Sequence, residues 1–266
     1  MHALVNIAVR AARRAGDLIM RNLPRLHELT VTAKSRNDFV TEVDRLAERE
    51  IIETIRHSYP DHAFLAEESG ESGSGSDVWI IDPLDGTTNF VHGFPVFAVS
   101  IAFQRRGTLE HAVVYDPARQ ELFTATRGDG AELEGRRIRV SGQRALEGAL
   151  IGTGFPYHQN AEHIDAYLAM FKTVCTRAAG IRRPGAAALD LAYVAAGRLD
   201  GFWEIGLRTW DIAAGALLIR EAGGLIGDLR GDDGYLDSGN VVAGGPKVFA
   251  ELLHVIAPHL GGGLER

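Results

Sequence analysis

The chain has 266 residues, of which 45% are hydrophobic and one is cysteine, and its formal net charge at pH 7 is −7. This length allows a substantial core in one large domain or two smaller ones, and a single cysteine excludes an internal disulfide or a multi-cysteine metal site. The sequence shows no long basic run, no apolar run that could cross a bilayer and no signal-peptide pattern, so we expect a soluble cytoplasmic protein.

The first half of the chain is predicted to contain two helices followed by strands. Apolar residues recur at helical spacing over residues 4–19 and again after the TEVD segment at 41–44, which resembles a capping box. Strand-like apolar runs come next, and the last two are joined by DPARQ at 116–120, a sequence typical of a hairpin turn. Residues 1–147 are therefore expected to form an α+β half with an antiparallel sheet.

From residue 148 onwards, strand-like and helical patterns alternate. A strand with a glycine turn is predicted at ALIGTGF and a short strand at GFWEI. Helices are predicted at EHIDAYLAMFKTV, GAAALDLAYVAAG and DIAAGALLIREAGG. Asp211 begins the last of these helices and Gly223 lies near its end. Such alternation favours an α/β layer arrangement, so residues 148–266 are expected to pack closely on the first half. Cys175 lies in an apolar helical pattern and is expected in the core.

Four acidic residues stand where an apolar run meets a turn or a helix start: Glu67, Asp82, Asp85 and Asp211. If they converge, two carboxylates about 4 Å apart repel by about 4 kcal/mol at an effective dielectric near 20. Divalent cations would remove this repulsion, and ligands that are all oxygen favour magnesium or manganese over zinc. Simpler explanations are two successive turns in DPLDG, a helix N-cap at Asp211 and a solvated loop at Glu67.

Long motifs around these acids resemble one known family. The segment WIIDPLDGTTNFVHGFP resembles the first signature of the inositol monophosphatase family, and WDIAAGALLIREAGG resembles the second. The segments AEES, RRPGAAALD and GFWEIG follow the order found in that family along most of the chain, and the region 182–211 is most similar to its bacterial inositol-1-monophosphatase branch. The resemblance implies a layered αβαβα sandwich of the sugar-phosphatase type and a magnesium-dependent, lithium-sensitive phosphomonoesterase, usually a homodimer.

The resemblance also implies the metal ligands. Glu67, Asp82 and the carbonyl oxygen of Leu84 would hold a first Mg²⁺, and Asp82, Asp85 and Asp211 a second, with Mn²⁺ as a possible substitute. A third, more weakly held ion would lie near Glu67. Two such ions could clamp the attacking and leaving oxygens of an in-line displacement at phosphorus.

Catalytic roles are implied for residues beside these ligands. The backbone N–H groups of Gly86 and Thr87, at an expected helix start, would hold phosphate oxygens. The Thr87 hydroxyl would orient the attacking water, and Asp44 would accept the threonine proton, with Glu67 as an alternative base. Without the resemblance, Thr87 is an ordinary turn residue and Asp44 a carboxylate at a helix start.

For the alcohol half of the substrate, the resemblance implies contacts from Glu204 and from the backbone of residues 185–187. Arg183 is a candidate cation at the rim, with a surface salt bridge as the alternative role. The implied substrate-binding residues are Leu84, Asp85, Gly86, Thr87, Arg183, Gly185, Ala186, Ala187, Glu204 and Asp211. Ala186 and Thr209 differ from the residues common in relatives, which leaves the sugar-alcohol preference open.

Inositol 1-phosphate is the first substrate hypothesis. Fructose 1,6-bisphosphate, 3′-phosphoadenosine 5′-phosphate and histidinol phosphate are alternatives, because the fold superfamily handles all of them. A hypothesis from a different class is a regulatory partner of the transcription machinery, with arginine pairs forming a protein or RNA contact. Those pairs, for which solvated surface charge is the simpler reading, are Arg105–Arg106, Arg136–Arg137 and Arg182–Arg183.

Overall fold

The structure is a computed structural model of the chain. It describes residues 2–28, 31–35, 38–156, 158–261 and 264, with the backbone alone described at 28, 31–35, 38–40, 158 and 159. Within these ranges, no helix combines the length and the apolar composition that crossing a bilayer requires.

Helices and strands are numbered in chain order. The α-helices are α1 (Ala3–Asn22), α2 (Glu42–Ser58), α3 (Thr87–Val91), α4 (Ile164–Cys175), α5 (Ala187–Ala195), α6 (Thr209–Glu221), α7 (Tyr235–Ser238) and α8 (Pro246–Ile256). The first ten strands are β1 (Val31–Ser35), β2 (Asp38–Thr41), β3 (Ala63–Ala66), β4 (Gly70–Ser72), β5 (Asp77–Asp85), β6 (Ala98–Arg105), β7 (Thr108–Asp116), β8 (Glu121–Thr126), β9 (Gly130–Leu133) and β10 (Arg136–Arg137). The remaining strands are β11 (Leu150–Thr153), β12 (Gly180–Arg182), β13 (Gly201–Glu204), β14 (Leu225–Gly227) and β15 (Val241–Gly244).

Two sheets carry the fold. An eight-stranded sheet has the order β10-β9-β8-β7-β6-β5-β3-β4, and its neighbouring strands are antiparallel except for β3 and β5. The predicted antiparallel sheet is wrong for that pair, because the chain turns back through edge strand β4 before β5 joins β3. A five-stranded sheet has the order β12-β11-β13-β15-β14. The division into halves at residues 147 and 148 stays a prediction.

Helices and sheets alternate in layers. The helices α1 and α2 pack on each other and on the eight-stranded sheet, through β6 and β7 for α1 and through β5 for α2. The helices α5 and α6 pack together, contact the eight-stranded sheet and also reach the five-stranded sheet. The helices α4 and α8 contact each other, and α8 packs on β13, β14 and β15. The layered αβαβα fold predicted from the resemblance is therefore confirmed.

The outer helical layer illustrates how the sequence builds these layers. One face of α1 is buried, including Leu4, Ala8, Ala11, Ala15 and Ile19, which recur every three or four residues. Three of these five side chains are methyl groups, so the neighbouring helix and sheet can approach closely. Larger apolar side chains of the sheet fill the same core cluster.

Local signals at the start of α2 and in the β7–β8 hairpin are confirmed. The Thr41 hydroxyl accepts the N–H of Val43 at 3.1 Å, and the Asp44 carboxylate accepts the N–H of Thr41 at 2.8 Å, which completes the capping box. In the hairpin, Asp116 pairs with Glu121 across the turn at 117–120.

The prediction that Cys175 belongs to the core is wrong. Cys175 is the last residue of α4 and is exposed. The buried face of this helix carries Tyr167, Met170 and Val174, which follow the helical period. The next residue is rotated by about 100° from that face, so the thiol points to solvent.

Candidate active site

Asp82 and Asp85 lie on the same face of the sheet because β5 contains a bulge between them. Opposite them on β6, Asp82 pairs with Ser100 and Asp85 pairs with Ala98, so one extra residue is inserted in β5. Residues three apart on a regular strand point to opposite faces, and one inserted residue restores the same face. Pro83 lies in the bulge, where its missing N–H removes no ladder hydrogen bond. The strand therefore runs through both acids and does not end before them as the sequence suggested.

The packing of β5 shows the same change of face. Trp79 and Ile81 belong to the core cluster on the α1–α2 side, and Ile80 belongs to the cluster on the α5–α6 side. Without a bulge, Leu84 would join Ile80, but it lies in the cluster with Trp79 and Ile81. Asp85 then follows on the α5–α6 side, where the starts of two helices meet the sheet.

Asp211 reaches this place from the first turn of α6. Its carboxylate accepts the N–H of Arg208 at 2.7 Å, so Asp211 occupies the third helical position and Arg208 the N-cap position. The alternative interpretation of Asp211 as the N-cap residue is wrong by three positions. The Ser100 hydroxyl of β6 donates to the carbonyl oxygen of Trp210 at 3.2 Å and links the start of α6 to the sheet.

Asp82, Asp85 and Asp211 form one carboxylate cluster. One oxygen atom from each lies within 4.8 Å of the others. Asp82 and Asp85 are only 2% and 8% exposed, and Asp211 is half-buried. Each carboxylate also accepts one backbone N–H, at 2.9 Å for Asp82 and 2.7 Å for the other two. The donors are Leu84 in the bulge, Ala188 in α5 and Arg208 at the start of α6. The backbone thus fixes all three acids in place.

The cluster is electrostatically strained. Burial and then the charges of Glu67, Asp85 and Asp211 raise the pKa of Asp82 well above its usual value. Burial raises the pKa of Asp85 to about 7 against the opposing hydrogen bond from Ala188, and burial together with Asp85 raises the pKa of Asp211 to about 7. Positive charge at this place would stabilise the ionised acids. An all-oxygen donor set of this kind fits a hard divalent cation such as magnesium or manganese.

Glu67 lies beside the cluster at the end of β3. Its N–H donates to the carbonyl oxygen of Ile81 at 3.1 Å, which places Glu67 next to Asp82 on the parallel strand β5. Its charge raises the pKa of both Asp82 and Asp85. The three atoms that converge within 4.8 Å nevertheless belong to Asp82, Asp85 and Asp211. Glu67 therefore borders the three-carboxylate cluster.

Thr87 and Asp44 form the pair that the resemblance implied. The Thr87 hydroxyl donates to Asp44 Oδ1 at 2.7 Å and lies 3.1 Å from the carbonyl oxygen of Leu84. Asp44 is fully buried, and its other oxygen accepts the Thr41 N–H at 2.8 Å and the Thr41 hydroxyl at 2.5 Å. Thr41 was missed as a site residue, although the TEVD capping box was a signal for its contact with Asp44.

Gly86 begins α3 in a conformation that favours glycine. Its φ is +90°, and a Cβ atom there would lie 2.9 Å from the carbonyl oxygen of Val96 and 3.3 Å from that of Gly185. Asn89 in α3 donates to the carbonyl oxygens of Val96 at 2.8 Å and Pro184 at 2.9 Å. This asparagine, which the analysis of DGTTNF passed over, joins the first motif to the RRPG segment.

The implied alcohol-binding residues surround the start of α5. Ala186 and Ala187 are buried there, and Gly185 precedes them with a φ of +90°. Glu204 ends β13, and burial raises its pKa to about 8 against the opposing charge of Arg183. Arg183 is exposed, with its guanidinium 6.0 Å from the ring centre of Phe155.

Comparisons with known proteins give matches along almost the whole chain. The model of the inositol monophosphatase family matches residues 1–260. A Pseudomonas aeruginosa protein named Nus factor SuhB is 58% identical over 271 residues, and the match covers 100% of both chains.

Two solved structures show the same fold. The native extragenic suppressor protein suhB from Bartonella henselae is 44% identical, with a TM-score of 0.93 and coverage of 96% of this chain and 98% of that one. An inositol monophosphatase from Anabaena is 35% identical, with a TM-score of 0.83 and coverage of 96% and 95%.

Proposed function

The chain belongs to the inositol monophosphatase family, and on that premise we propose that it is a magnesium-dependent phosphomonoesterase that hydrolyses inositol 1-phosphate to myo-inositol and phosphate. The observation that carries this proposal is the convergence of Asp82, Asp85 and Asp211 beside the Thr87–Asp44 hydrogen bond. Together they provide a buried anionic site and a polarised hydroxyl at the start of a helix.

The proposed cation ligands are Glu67, Asp82 and the Leu84 carbonyl oxygen for one ion and Asp82, Asp85 and Asp211 for another, with a third ion near Glu67. When bound, such ions supply positive charge that neutralises the phosphate oxygens and the charge developing on the leaving oxygen. The side chains themselves need no large rearrangement, because each of the three clustered acids is already fixed by a backbone N–H.

The Thr87–Asp44 pair is the proposed route for a proton. Because the Thr87 hydroxyl donates its hydrogen to Asp44, its lone pairs remain available to accept a hydrogen bond from a water molecule. As that water attacks phosphorus, its proton can pass to the threonine oxygen while the threonine proton moves to Asp44. Thr41 fixes the acceptor by binding the second oxygen of Asp44. Glu67 is the alternative base.

Binding of the substrate is assigned to the two ends of the site. The N–H groups of Gly86 and Thr87 at the start of α3 would bind phosphate oxygens. Glu204, Arg183 and the backbone of residues 185–187 would bind the alcohol half. A carboxylate in this position suits a leaving group rich in hydroxyl donors, which supports a polyol phosphate.

A panel of esters tests the proposal. Turnover of inositol 1-phosphate, fructose 1,6-bisphosphate, 3′-phosphoadenosine 5′-phosphate and histidinol phosphate would be measured with Mg²⁺, with Mg²⁺ plus Li⁺, and after chelation. We expect inositol 1-phosphate to be preferred, lithium to inhibit and chelation to abolish turnover. Asp85→Asn should lose activity, and Asp233→Asn, at an exposed surface acid, should retain it. Full activity after rigorous chelation would refute the metal-dependent mechanism, and preference for another ester would correct the substrate.

The 58% full-length identity to a protein named Nus factor SuhB supports a second candidate function, a regulatory partner of the transcription machinery in the cytoplasm. Of the predicted arginine pairs, Arg136–Arg137 and Arg182–Arg183 are exposed, but Arg105 is bound to Asp77 and Glu110. Asp85→Asn separates the two functions, because a transcription phenotype that survives the loss of phosphatase activity would establish the partner role.

The proposed homodimer would be tested by analytical ultracentrifugation.

A further inference from the structure

The Glu204 side chain lies directly against the backbone of Gly154. Strands β11 and β13 are parallel, with Thr153 paired to Trp203, so Gly154 and Glu204 are the next residues at the same end of the sheet. A Cβ atom at Gly154 would lie 1.8 Å from Glu204 Oε1, 2.0 Å from Cδ and 2.3 Å from Oε2. The Glu204 carboxyl group therefore occupies the space that any side chain at position 154 would need.

The contact at Gly154 differs from the contact at Gly185, the glycine implied in substrate binding. Gly185 has a φ of +90° and a Cβ there would lie 2.7 Å from Arg183, so a substitution would strain the backbone as well as crowd the arginine. Gly154 lies outside the left-handed region, and the three nearest atoms to its Cβ position all belong to Glu204. A methyl group at position 154 would thus act on the Glu204 side chain and leave the backbone unstrained.

A second buried acid lies deeper in the protein and interacts electrostatically with Glu204. Asp190, in the first turn of α5, is 1% exposed, and its Oδ1 has no hydrogen-bond partner among the residues that the structure describes. The charge of Glu204 is, after burial, the largest influence that raises the pKa of Asp190. When both acids are ionised they repel each other, and the arginine at position 183 attracts both groups.

We propose that Gly154 is a positioning residue. Because it has no side chain, it leaves the space in which the Glu204 carboxyl group selects leaving groups with hydroxyls beside the phosphate ester. The inference rests on the proposed function, because it names the group that sets specificity in the same site. It predicts that Gly154→Ala discriminates between substrates. Esters whose leaving group has no hydroxyls would be hydrolysed as before.

The test compares inositol 1-phosphate with p-nitrophenyl phosphate, both with Mg²⁺. For Gly154→Ala we expect kcat/KM for inositol 1-phosphate to fall by about 10- to 100-fold, mainly through a higher KM, as for the loss of one or two hydrogen bonds between the leaving group and the Glu204 carboxyl group. The value for p-nitrophenyl phosphate should stay within about 3-fold. Gly142→Ala is the matched control, because no described atom beyond its two chain neighbours lies within 4 Å of its Cβ position.

A double-mutant cycle with Glu204→Ala shows whether Gly154 acts through Glu204. In the Glu204→Ala background, Gly154→Ala should cause no further loss of selectivity, because the crowded side chain is gone. Thermal unfolding of each variant provides a check on folding. An unchanged substrate ratio, an equal loss for both esters or a further loss in the Glu204→Ala background would overturn the inference. A wild-type protein without Mg²⁺-dependent turnover of either ester would refute the proposed function and the inference with it.

Discussion

Removal of the divalent cation should destabilise the protein at neutral and alkaline pH but not at acid pH. The three acids Asp82, Asp85 and Asp211 are fixed by backbone hydrogen bonds within 4.8 Å of one another. Their side chains cannot separate without giving up those bonds. A metal-free protein must therefore either keep protons on these acids or tolerate their repulsion.

The magnitude follows from Asp85, whose pKa rises from 3.8 to about 7 and whose side chain is almost fully buried. The folded protein binds this proton more tightly than the unfolded chain does. The contribution of the protonated Asp85 to the free energy of unfolding is therefore fully present below pH 4, and it is lost as the pH rises through 7. This rise in the pKa of Asp85 corresponds to about 4 kcal/mol of unfolding free energy, at 1.36 kcal/mol per pKa unit. For a chain of this length that is about 8 °C in Tm.

The assay is thermal unfolding between pH 5 and pH 8.5, with excess EDTA or with Mg²⁺. We expect Mg²⁺ to raise the Tm of the wild type strongly at pH 8 and little at pH 5. Asp85→Asn removes the charge while its amide oxygen can still accept the N–H of Ala188. The metal-free variant should therefore be more stable than the metal-free wild type at pH 8, and it should gain little from Mg²⁺. Asp233→Asn, at a surface acid, should behave as the wild type does.

Two results would refute this reasoning. If metal-free wild type and metal-free Asp85→Asn unfold at the same temperature at pH 8, repulsion between the clustered carboxylates does not destabilise the metal-free protein. If Mg²⁺ raises the Tm of both proteins equally at pH 8, the ion stabilises the chain at a place that does not depend on Asp85.

Three further predictions concern single residues. Thr87→Val should lower kcat by about 100-fold or more with little change in KM, since the hydroxyl that contacts Asp44 is lost, whereas Thr88→Val, at the exposed next residue, should retain activity in the same steady-state assay. Gly86→Ala should cost about 3 kcal/mol in denaturant unfolding, because it combines a left-handed φ with a carbonyl oxygen 2.9 Å away. Gly128→Ala shares the left-handed φ but has open space, so an equal cost for both would contradict the crowding argument. Burial lowers the pKa of His111 to about 4. The free energy of unfolding should therefore fall by about 3 kcal/mol as the pH falls from 6.5 to 4. In His111→Gln, the free energy of unfolding should change less over this pH range.

Local signals in the sequence predicted much of the fold. The TEVD segment marked the start of α2, the DPARQ segment marked the β7–β8 turn, and helical spacing marked the buried face of α1. These features depend on residues within a few positions of one another. The side on which Cys175 emerges was predicted wrongly, because an apolar stretch at the end of a helix does not show which face the neighbouring layer covers.

The site was less accessible to local reasoning. The spacing of Asp82 and Asp85 would place them on opposite faces of a regular strand, and only the pairing with β6 shows the inserted residue. The Thr87–Asp44 hydrogen bond joins residues 43 apart and was reached only through the family resemblance. The glycine turn in ALIGTGF was visible in the sequence, but the contact of Gly154 with Glu204 was not, since it joins parallel strands and residues 50 apart.

The bulge in β5 links the stability of the fold to its proposed chemistry. Without the inserted residue, Asp85 would face the α1–α2 core, away from the start of α5 whose N–H group binds it. With it, Asp85 accepts the N–H of Ala188 at the start of α5. Other backbone N–H groups hold Asp82 and Asp211 beside it. Such a site destabilises the folded protein when no cation is bound, and it stabilises the folded protein when cations are bound. The cation that assists hydrolysis would then also be a stabilising ligand, which explains why a folded protein can tolerate three fixed carboxylates in contact with its core.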